Sequence, residues 1–189
     1  MENISRIFLS ISLFILLSFT KTFSEADLFL TPLLLYFNML NNMEIEIYID
    51  LSIIEEMEKS LKECTFYETG GILLGKFNND YSKAYITELY KIENTLSQKK
   101  LNYIRNTENA QNIINKRWND SNGIINYIGE WHTHPNISPE PSNVDIYTMN
   151  QLYDKVKNQI PIIFLMIIGM NNQLRISSIG GICKCIHIL

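Results

Sequence analysis

Residues 130–145 read Glu-Trp-His-Thr-His-Pro-Asn-Ile-Ser-Pro-Glu-Pro-Ser-Asn-Val-Asp, and no other stretch limits the fold of this chain as strongly. In a β-strand, residues i and i+2 point to the same face and lie roughly 6 to 7 Å apart, so His132 and His134 can approach one ion. Tyr127 to Trp131 supply the preceding strand. Pro135 ends it, because proline has no backbone N–H to donate to a sheet. The stretch therefore predicts two histidines at a strand end.

A helix is predicted directly after this strand end. Pro141 and Ser142 are typical of a helix start, and apolar or aromatic side chains then recur near helical spacing from Asn143 to Lys157. These side chains are Ile146, Met149, Leu152, Tyr153 and Val156. Asp145 falls in the first turn, from which a short loop can bring its carboxylate to the histidines. Two histidines and one acidic ligand with an open fourth position are typical of a catalytic zinc site, whereas structural zinc sites usually have four protein ligands.

Chemistry at such a site also needs a base. Glu68 begins the segment Glu-Thr-Gly-Gly-Ile-Leu-Leu-Gly, which ends at Gly75, and its paired glycines allow the backbone to approach closely beneath a metal pocket. We expect the Glu68 carboxylate to move a proton from water to the leaving amine. Glu130 and Glu140 are alternatives, and Glu130, on the face of His132, can instead orient the site.

Two roles are open to Ser142. Its hydroxyl can donate a hydrogen bond to the oxyanion that forms on an attacked carbonyl. Its oxygen can also cap the helix by accepting a backbone N–H, with Asp145 three residues later completing a capping arrangement. The two roles can coexist.

The two motifs together resemble the JAMM signature of the JAB/MPN zinc metalloproteases. The first motif is Glu68-Thr-Gly-Gly-Ile-Leu-Leu-Gly75. The second is His-Thr-His-Pro, six residues, and Ser-Asn-Val-Asp, which ends at Asp145. The segment Tyr-Ile-Gly-Glu-Trp-His-Thr-His-Pro, residues 127–135, is most similar to the corresponding segment of bacterial JAB proteins of the Prok-JAB type. The resemblance runs from about residue 45 to residue 180.

The resemblance implies a role for each motif residue. Zinc (Zn2+) is expected on His132, His134 and Asp145, with Glu68 as general acid/base and Ser142 as the oxyanion stabiliser. The implied fold is a single α/β domain with the mixed, curved sheet of the cytidine-deaminase-like class and helices on its faces.

The resemblance also implies a function. We expect a zinc metallopeptidase or isopeptidase that cleaves peptide or isopeptide bonds at the C-terminal tail of a ubiquitin-like protein. Similar bacterial proteins include those encoded beside antiviral nucleotidyltransferases that are conjugated through a ubiquitin-like mechanism, which makes such a conjugate the expected partner. We also expect a cytoplasmic location. A peptidase that processes ubiquitin-like or sulfur-carrier proteins is the alternative within the same class.

Two other classes of function agree less well with the sequence. RadC-like proteins, which are associated with DNA, share a related histidine and aspartate pattern, but the net charge of −4 gives no general electrostatic reason to bind nucleic acid. A non-catalytic MPN scaffold predicts a degraded metal motif, whereas the motif here is intact. The sequence also lacks the His-Glu-x-x-His, Gly-x-Ser-x-Gly and Pro-Cys-x-x-Cys patterns of other hydrolases and deaminases.

The cysteines raise a separate question. Cys183, Cys185 and His187 alternate on one face of a predicted C-terminal strand, which indicates either a second metal site or a reduced, half-buried edge strand. We favour the edge strand. Cys64 is predicted to be a core residue of the first helix.

The chain is predicted to contain one domain, residues 43–189, after an apolar extension, residues 1–42. The extension has two apolar runs, and neither reaches the roughly 18 to 20 residues that span a bilayer. For this extension we favour an over-long start assignment over a signal sequence or a membrane anchor, either of which would export or anchor the protein.

Alternation and helical periodicity predict the elements of the domain. The strands are Ile45 to Ile49, Gly71 to Phe77, Tyr81 to Tyr90, Tyr127 to Trp131, Pro161 to Ile168 and Leu174 to Ile179. Two helices precede the metal strand, one capped by Asp50 and one over Thr107 to Trp118.

Overall fold

The computed structural model describes residues 44–92 and 106–189. The strands in these ranges are β1 (Glu44–Ile49), β2 (Gly70–Phe77), β3 (Lys83–Ile92), β4 (Asn126–Thr133), β5 (Ile163–Ile168), β6 (Leu174–Ile179) and β7 (Ile182–Ile188). The helices are α1 (Leu51–Glu63), α2 (Thr107–Asp120) and α3 (Asn143–Val156), with a short 3-10 helix over Met170–Asn172. The N-terminal extension and the domain start at residue 43 lie outside the described residues, so that division stays a prediction.

The strands form one mixed sheet in the order β6-β5-β4-β2-β3-β1-β7. Three neighbouring pairs are parallel, namely β1 with β3, β1 with β7, and β4 with β5, and the other three are antiparallel. Only residues 180 and 181 separate β6 from β7, although these strands lie at opposite ends of the order. The sheet therefore curves until its ends approach each other, and the expected mixed, curved α/β sheet is confirmed.

Helices cover both faces of this sheet. On one face α1 buries Ile53 and Met57 in a cluster with β1 side chains, and on the other face Ala110 of α2 and Met149 of α3 join a second cluster. Every residue of β5 is buried, as expected for a strand covered on both sides. In the part of the chain that the structure describes, none of the helices combines the length and the apolar composition needed to cross a membrane.

Two glycines let β2 run unusually close to its neighbours. A side chain at Gly70 would collide with the carbonyl oxygen of Trp131 and would lie 2.7 Å from the Cβ atom of His132. A side chain at Gly71 would collide with the carbonyl oxygen of Tyr90 on the other side. The paired glycines are therefore required where β2 passes between β3 and β4, directly beside the first histidine.

The predicted elements begin and end within two residues of those in the structure. Asp50 does occupy the N-cap position of α1, but its side chain makes no capping hydrogen bond. Tyr81 lies before β3 rather than in it, because it adopts a positive φ of 59° in the preceding turn. Ile146, predicted on the apolar face of α3, is 49% exposed, while Met149 on the same helix is buried.

Two predictions about cysteines were wrong. Cys64 is only partly buried and lies at the C-cap of α1 instead of in the core. Cys183 and Cys185 do not lie on the same face of the sheet. A bulge in β7 pairs Cys183 with buried Ile45 and Cys185 with Glu46, and these two consecutive residues of β1 point to opposite faces. Strand β7 does end the strand order, and its two cysteines are partly buried and form no disulfide.

An ion pair joins α2 to the sheet. Arg117 donates to both carboxylate oxygens of Glu88 on β3, at 2.8 Å from Nε and 2.5 Å from a terminal nitrogen. The Tyr90 hydroxyl donates to the same carboxylate at 3.0 Å. Hydrogen bonding by Arg117 holds the pKa of Glu88 below its ordinary value of 4.5. This carboxylate therefore binds its proton less readily in the folded state than in the unfolded state.

The ion pair predicts a pH-dependent contribution to stability. Because the folded pKa of Glu88 is depressed, its contribution is present above pH 4.5 and is lost as the pH falls through the lower folded value. We expect Arg117→Gln to lower the free energy of unfolding near neutral pH, and the difference from the wild type to shrink in acid. Urea denaturation at a series of pH values measures this difference. Lys59→Gln, which removes an exposed pair with Glu56, is the control, and an Arg117 effect that does not vary with pH would contradict the prediction.

Candidate metal centre

The two histidines lie where β4 ends, and their backbone is held from both sides. His132 is the second-to-last residue of β4. The His134 N–H donates to the carbonyl of Ile168 on β5 at 2.8 Å. Between them, the Thr133 N–H donates to the carbonyl of Thr69 at 2.8 Å. Both histidines are buried. Their positions are therefore determined by backbone hydrogen bonds to two other segments.

The side chains of His132, His134 and Asp145 converge. The two Nε2 atoms are 3.0 Å apart, and the Asp145 carboxylate lies 3.6 Å from Nε2 of His132 and 3.9 Å from Nε2 of His134. Zinc holds nitrogen and oxygen ligands at about 2.0 to 2.2 Å, which places tetrahedral neighbours roughly 3.3 to 3.6 Å apart. The spacing of these three donor atoms therefore fits a zinc ion.

The hydrogen bond of His134 and the pKa of His132 also fit a bound cation. Nδ1 of His134 lies 2.9 Å from the carbonyl oxygen of Ser138, so Nδ1 carries the hydrogen and Nε2 presents its lone pair. Burial lowers the pKa of His132 to about 4, assisted by His134 and opposed by the charge of Asp145. His132 is therefore neutral at neutral pH, which is the form that binds metal.

The start of α3 holds the carboxylate. Ser142 is the N-cap, and its Oγ accepts the Asp145 N–H at 3.2 Å. In return, Oδ2 of Asp145 accepts the Ser142 N–H at 2.7 Å and the Ser142 hydroxyl at 2.6 Å. This capping box leaves Oδ1 directed toward His132. The same residues therefore begin the helix and aim the acidic donor.

Glu68 provides a second carboxylate beside the histidines. Its Oε1 atom is 3.7 Å from Nε2 of His134, and its side chain is largely buried. The next residue, Thr69, donates its N–H to the hydroxyl of Thr133 at 3.0 Å, which ties the segment to the end of β4. The structure thus brings the carboxylate of Glu68 next to the donor atoms predicted to hold the metal.

The two alternative carboxylates have other surroundings. Glu130 is buried, and its Oε1 accepts the hydroxyl of Tyr127 at 2.7 Å. Glu140 is exposed and lies 3.8 Å from Nε of Arg175. Both line the same cleft as Glu68, whose Oε1 lies 3.7 Å from Nε2 of His134.

The candidate site lies in a cleft of about 1080 Å³. The five residues predicted to form the site line it, namely Glu68, His132, His134, Ser142 and Asp145. Large apolar side chains also line it and are exposed, including Phe66, Ile137 and Val144. The polar centre therefore shares its cleft with exposed apolar side chains.

Two contributions to the centre had no clear signal in the sequence. The Ser138 carbonyl that orients His134 is a backbone group, so residue type does not reveal it. The contact between Tyr127 and Glu130 needs two residues three apart to share a face, which regular alternation forbids. A register shift in the pairing of β4 with β2, between Tyr127 and Gly129, makes that contact possible.

Comparison with known sequences identifies the family. The family described as prokaryotic homologs of the JAB domain matches residues 51–177. The chain belongs to this family. The matched segment includes all five residues of the candidate site and both motifs that resemble the JAMM signature.

Curated relatives of this JAB domain carry names that describe activities. A CD-NTase/cGAS isopeptidase of Enterobacter hormaechei is 33% identical over 106 residues, which are 56% of this chain and 57% of that protein. A protein of the same name from Pseudomonas aeruginosa is 31% identical over 119 residues, 62% of this chain and 70% of that one. The probable metalloprotease y4qB of Sinorhizobium fredii is 28% identical over 141 residues, 73% and 85% of the two chains. The match spans little more than half the length of the Enterobacter relative.

A solved structure shares the fold. The solution structure of protein DSY2949 from Desulfitobacterium hafniense superimposes with a TM-score of 0.50 and 18% identity. The likeness covers 70% of this chain and 82% of that one. At this level of identity the likeness concerns the fold alone.

The donor geometry predicts how mutations change metal content. We expect His132→Ala and His134→Ala each to bind about one equivalent of zinc less than the wild type, because two remaining protein ligands are too few for a stable zinc site. Metal analysis of the purified full-length proteins measures the loss. Glu140→Gln, which changes a carboxylate in the same cleft, should retain the wild-type content. Equal zinc in the histidine variants and the wild type would rule the centre out.

Proposed function

We propose that this JAB-domain protein is a zinc-dependent peptidase or isopeptidase. Its substrate is a peptide or isopeptide bond at the C-terminal tail of a ubiquitin-like protein. The observation that carries the proposal is the convergence of donor atoms from His132, His134 and Asp145 within 4.8 Å of one another, with Glu68 beside them. Two histidines and one carboxylate leave a position for water and substrate, as in catalytic zinc sites.

Zinc at this centre supplies positive charge that favours loss of a proton from water and polarises the substrate carbonyl. Within the protein, His132, His134 and Asp145 are the residues that would hold it. Burial lowers the pKa of His132 and so keeps that imidazole neutral, and it excludes competing water, which strengthens the electrostatic interactions among the groups inside.

Glu68 is proposed as the general acid/base. Its Oε1 lies near the histidine donors, so it can accept a proton from the attacking water and return it to the leaving amine. The hydrogen bonds between Thr69 and Thr133 support this role, because they hold the segment that carries Glu68 against β4. A proton carrier must keep a constant position relative to the reacting atoms.

Ser142 is proposed as the oxyanion donor. The cap uses a lone pair of Oγ, whereas stabilising an oxyanion uses the hydroxyl hydrogen, so the two roles need different parts of one group. That hydrogen now points to Asp145 and must turn to the substrate during the reaction. The helix start keeps the oxygen in position throughout.

The substrate class rests on the relatives and on the cleft. Two relatives are named CD-NTase/cGAS isopeptidases, which supports a conjugate between such a nucleotidyltransferase and a ubiquitin-like protein as the substrate. The open cleft with its exposed apolar rim can accept an extended tail. A general processing peptidase is the second candidate, supported by the probable metalloprotease that matches over 85% of its length.

The role of Glu68 predicts the effect of removing its charge. We expect Glu68→Gln to lower the rate of cleavage by about 10² to 10⁴-fold, the usual loss for a general acid/base, with zinc content unchanged. Single-turnover cleavage of an isopeptide conjugate and of a linear ubiquitin-like fusion provides the rates. Glu140→Gln should remain active. If Glu130→Gln is inactive and Glu68→Gln is not, Glu130 is the base.

The same two substrates separate the candidate functions. Preference for the isopeptide conjugate supports deconjugation, and preference for the linear fusion supports processing. If the zinc-loaded wild type cleaves neither substrate, both candidate functions are contradicted.

The two roles of Ser142 predict separable effects. If Ser142 is the oxyanion donor, Ser142→Ala should lower the catalytic rate by roughly 10² to 10³-fold. Loss of the cap should cost about 0.5 to 2 kcal/mol of stability. Ser142→Thr keeps a hydroxyl and should retain most of both. Thermal unfolding, metal analysis and single-turnover rates measure the three quantities, and an alanine variant with a normal rate per folded molecule would leave Ser142 as a cap alone.

A further inference from the structure

A second cluster of metal-ligating side chains lies on the other half of the sheet. Within residues 44–92 and 106–189, ligand atoms of Glu46, Cys185 and His187 lie within 4.8 Å of one another. Glu46 is on β1 and the other two are on β7, whereas the histidine centre is on β4. Strands β2 and β3 separate β1 from β4, and the two clusters share no residue.

Strand register assembles this cluster. The parallel pairing of β1 with β7 aligns Glu46 with Cys185 and Tyr48 with His187. Residues i and i+2 of a strand share a face, so all four side chains lie on one side of the sheet. The bulge in β7 leaves Cys183 opposite Ile45, where it packs against the core. Only one of the two neighbouring thiols therefore joins the cluster.

The donor atoms are held in place by Tyr48. Its ring stacks on the imidazole of His187, with centroids 4.5 Å apart and planes 15° apart. Its hydroxyl donates to Oε2 of Glu46 at 2.9 Å. Nε2 of His187 lies 3.2 Å from Sγ of Cys185 and 3.8 Å from Oε2 of Glu46. One tyrosine thus orients both the imidazole and the carboxylate.

We propose that Glu46, Cys185 and His187 form a second metal site, specific for zinc or a similar divalent transition metal. Thiolate, imidazole and carboxylate are the donors that zinc prefers, and ligand distances of about 2.0 to 2.3 Å place neighbouring donors roughly 3.3 to 3.6 Å apart. The observed separations lie close to this range. Binding displaces the thiol proton of Cys185. Because His187 is 44% exposed, the fourth position faces solvent.

A network without metal is the competing explanation. Lys83 pairs with Glu46 in the register of β1 and β3, and its Nζ lies 5.5 Å from the centre of the Tyr48 ring. Its positive charge can neutralise the carboxylate, so that the cluster is held by ordinary polar contacts. This explanation predicts that the thiol of Cys185 never contacts a metal.

Cobalt distinguishes the two explanations, because a thiolate bound to Co²⁺ gives a charge-transfer band in the near ultraviolet. The histidine centre has no cysteine, so it cannot produce this band. We expect the metal-free full-length protein to develop the band on titration with Co²⁺, and Zn²⁺ to abolish it. The band should persist in His132→Ala and disappear in Cys185→Ser. Cys183→Ser, which changes the neighbouring thiol on the same strand, should keep it.

The effect of Tyr48 provides an independent measure. Tyr48→Phe removes the hydroxyl that orients Glu46 and keeps the ring, so the affinity for Co²⁺ should fall by about 10- to 100-fold. Protection from alkylation is a separate measurement on the unmutated protein. Zn²⁺ should protect Cys185 from alkylation and should leave Cys64 reactive, as read by peptide mass spectrometry. The result does not depend on whether any variant folds.

Three outcomes overturn the proposal. These are the absence of a thiolate band in the wild type, a band that survives Cys185→Ser, and alkylation of Cys185 at the same rate with and without Zn²⁺. Any of them leaves the polar network held by Lys83 as the explanation. None of these measurements uses activity at the histidine centre. The test of the second site is therefore independent of the proposed function.

Discussion

The close contact between β2 and β4 is the constraint on which the rest of the candidate metal centre depends. Gly70 lies opposite His132, and the missing side chain lets the two backbones approach closely. The pairing continues past the strand end through Thr69 and Thr133. It therefore carries Glu68 to the side of His134. Without this contact, the two motifs, which are far apart in sequence, would have no common frame.

The helix start provides the third donor by a purely local interaction. Ser142 and Asp145 exchange hydrogen bonds within one turn, as a capping box does in any helix. The bond geometry that stabilises the helix also directs a carboxylate oxygen toward His132. The positive end of the helix dipole favours a charged carboxylate there. Stability and ligand placement therefore depend on the same atoms, which makes substitutions at either residue affect both.

The two clusters show how burial separates their chemistry. His132 and His134 are buried, their positions are set by backbone hydrogen bonds, and burial lowers the pKa of His132 so that its imidazole is neutral. Cys185 and His187 lie on the edge strand β7, where one face is open to solvent. The first cluster thus lies inside a cleft suited to a reaction, and the second lies on a surface from which an ion can exchange.

Features that depend on local spacing can be predicted from the residues alone. His132 and His134 share a face because strands alternate, and Ser142 and Asp145 form a cap because they are three residues apart. Features that depend on the pairing of distant strands cannot be predicted in this way. Register and bulges brought Glu46 to Cys185 and turned the neighbouring thiol toward the core. These outcomes differ because alternation and capping are short-range and steric, whereas register is chosen by the packing of the whole sheet.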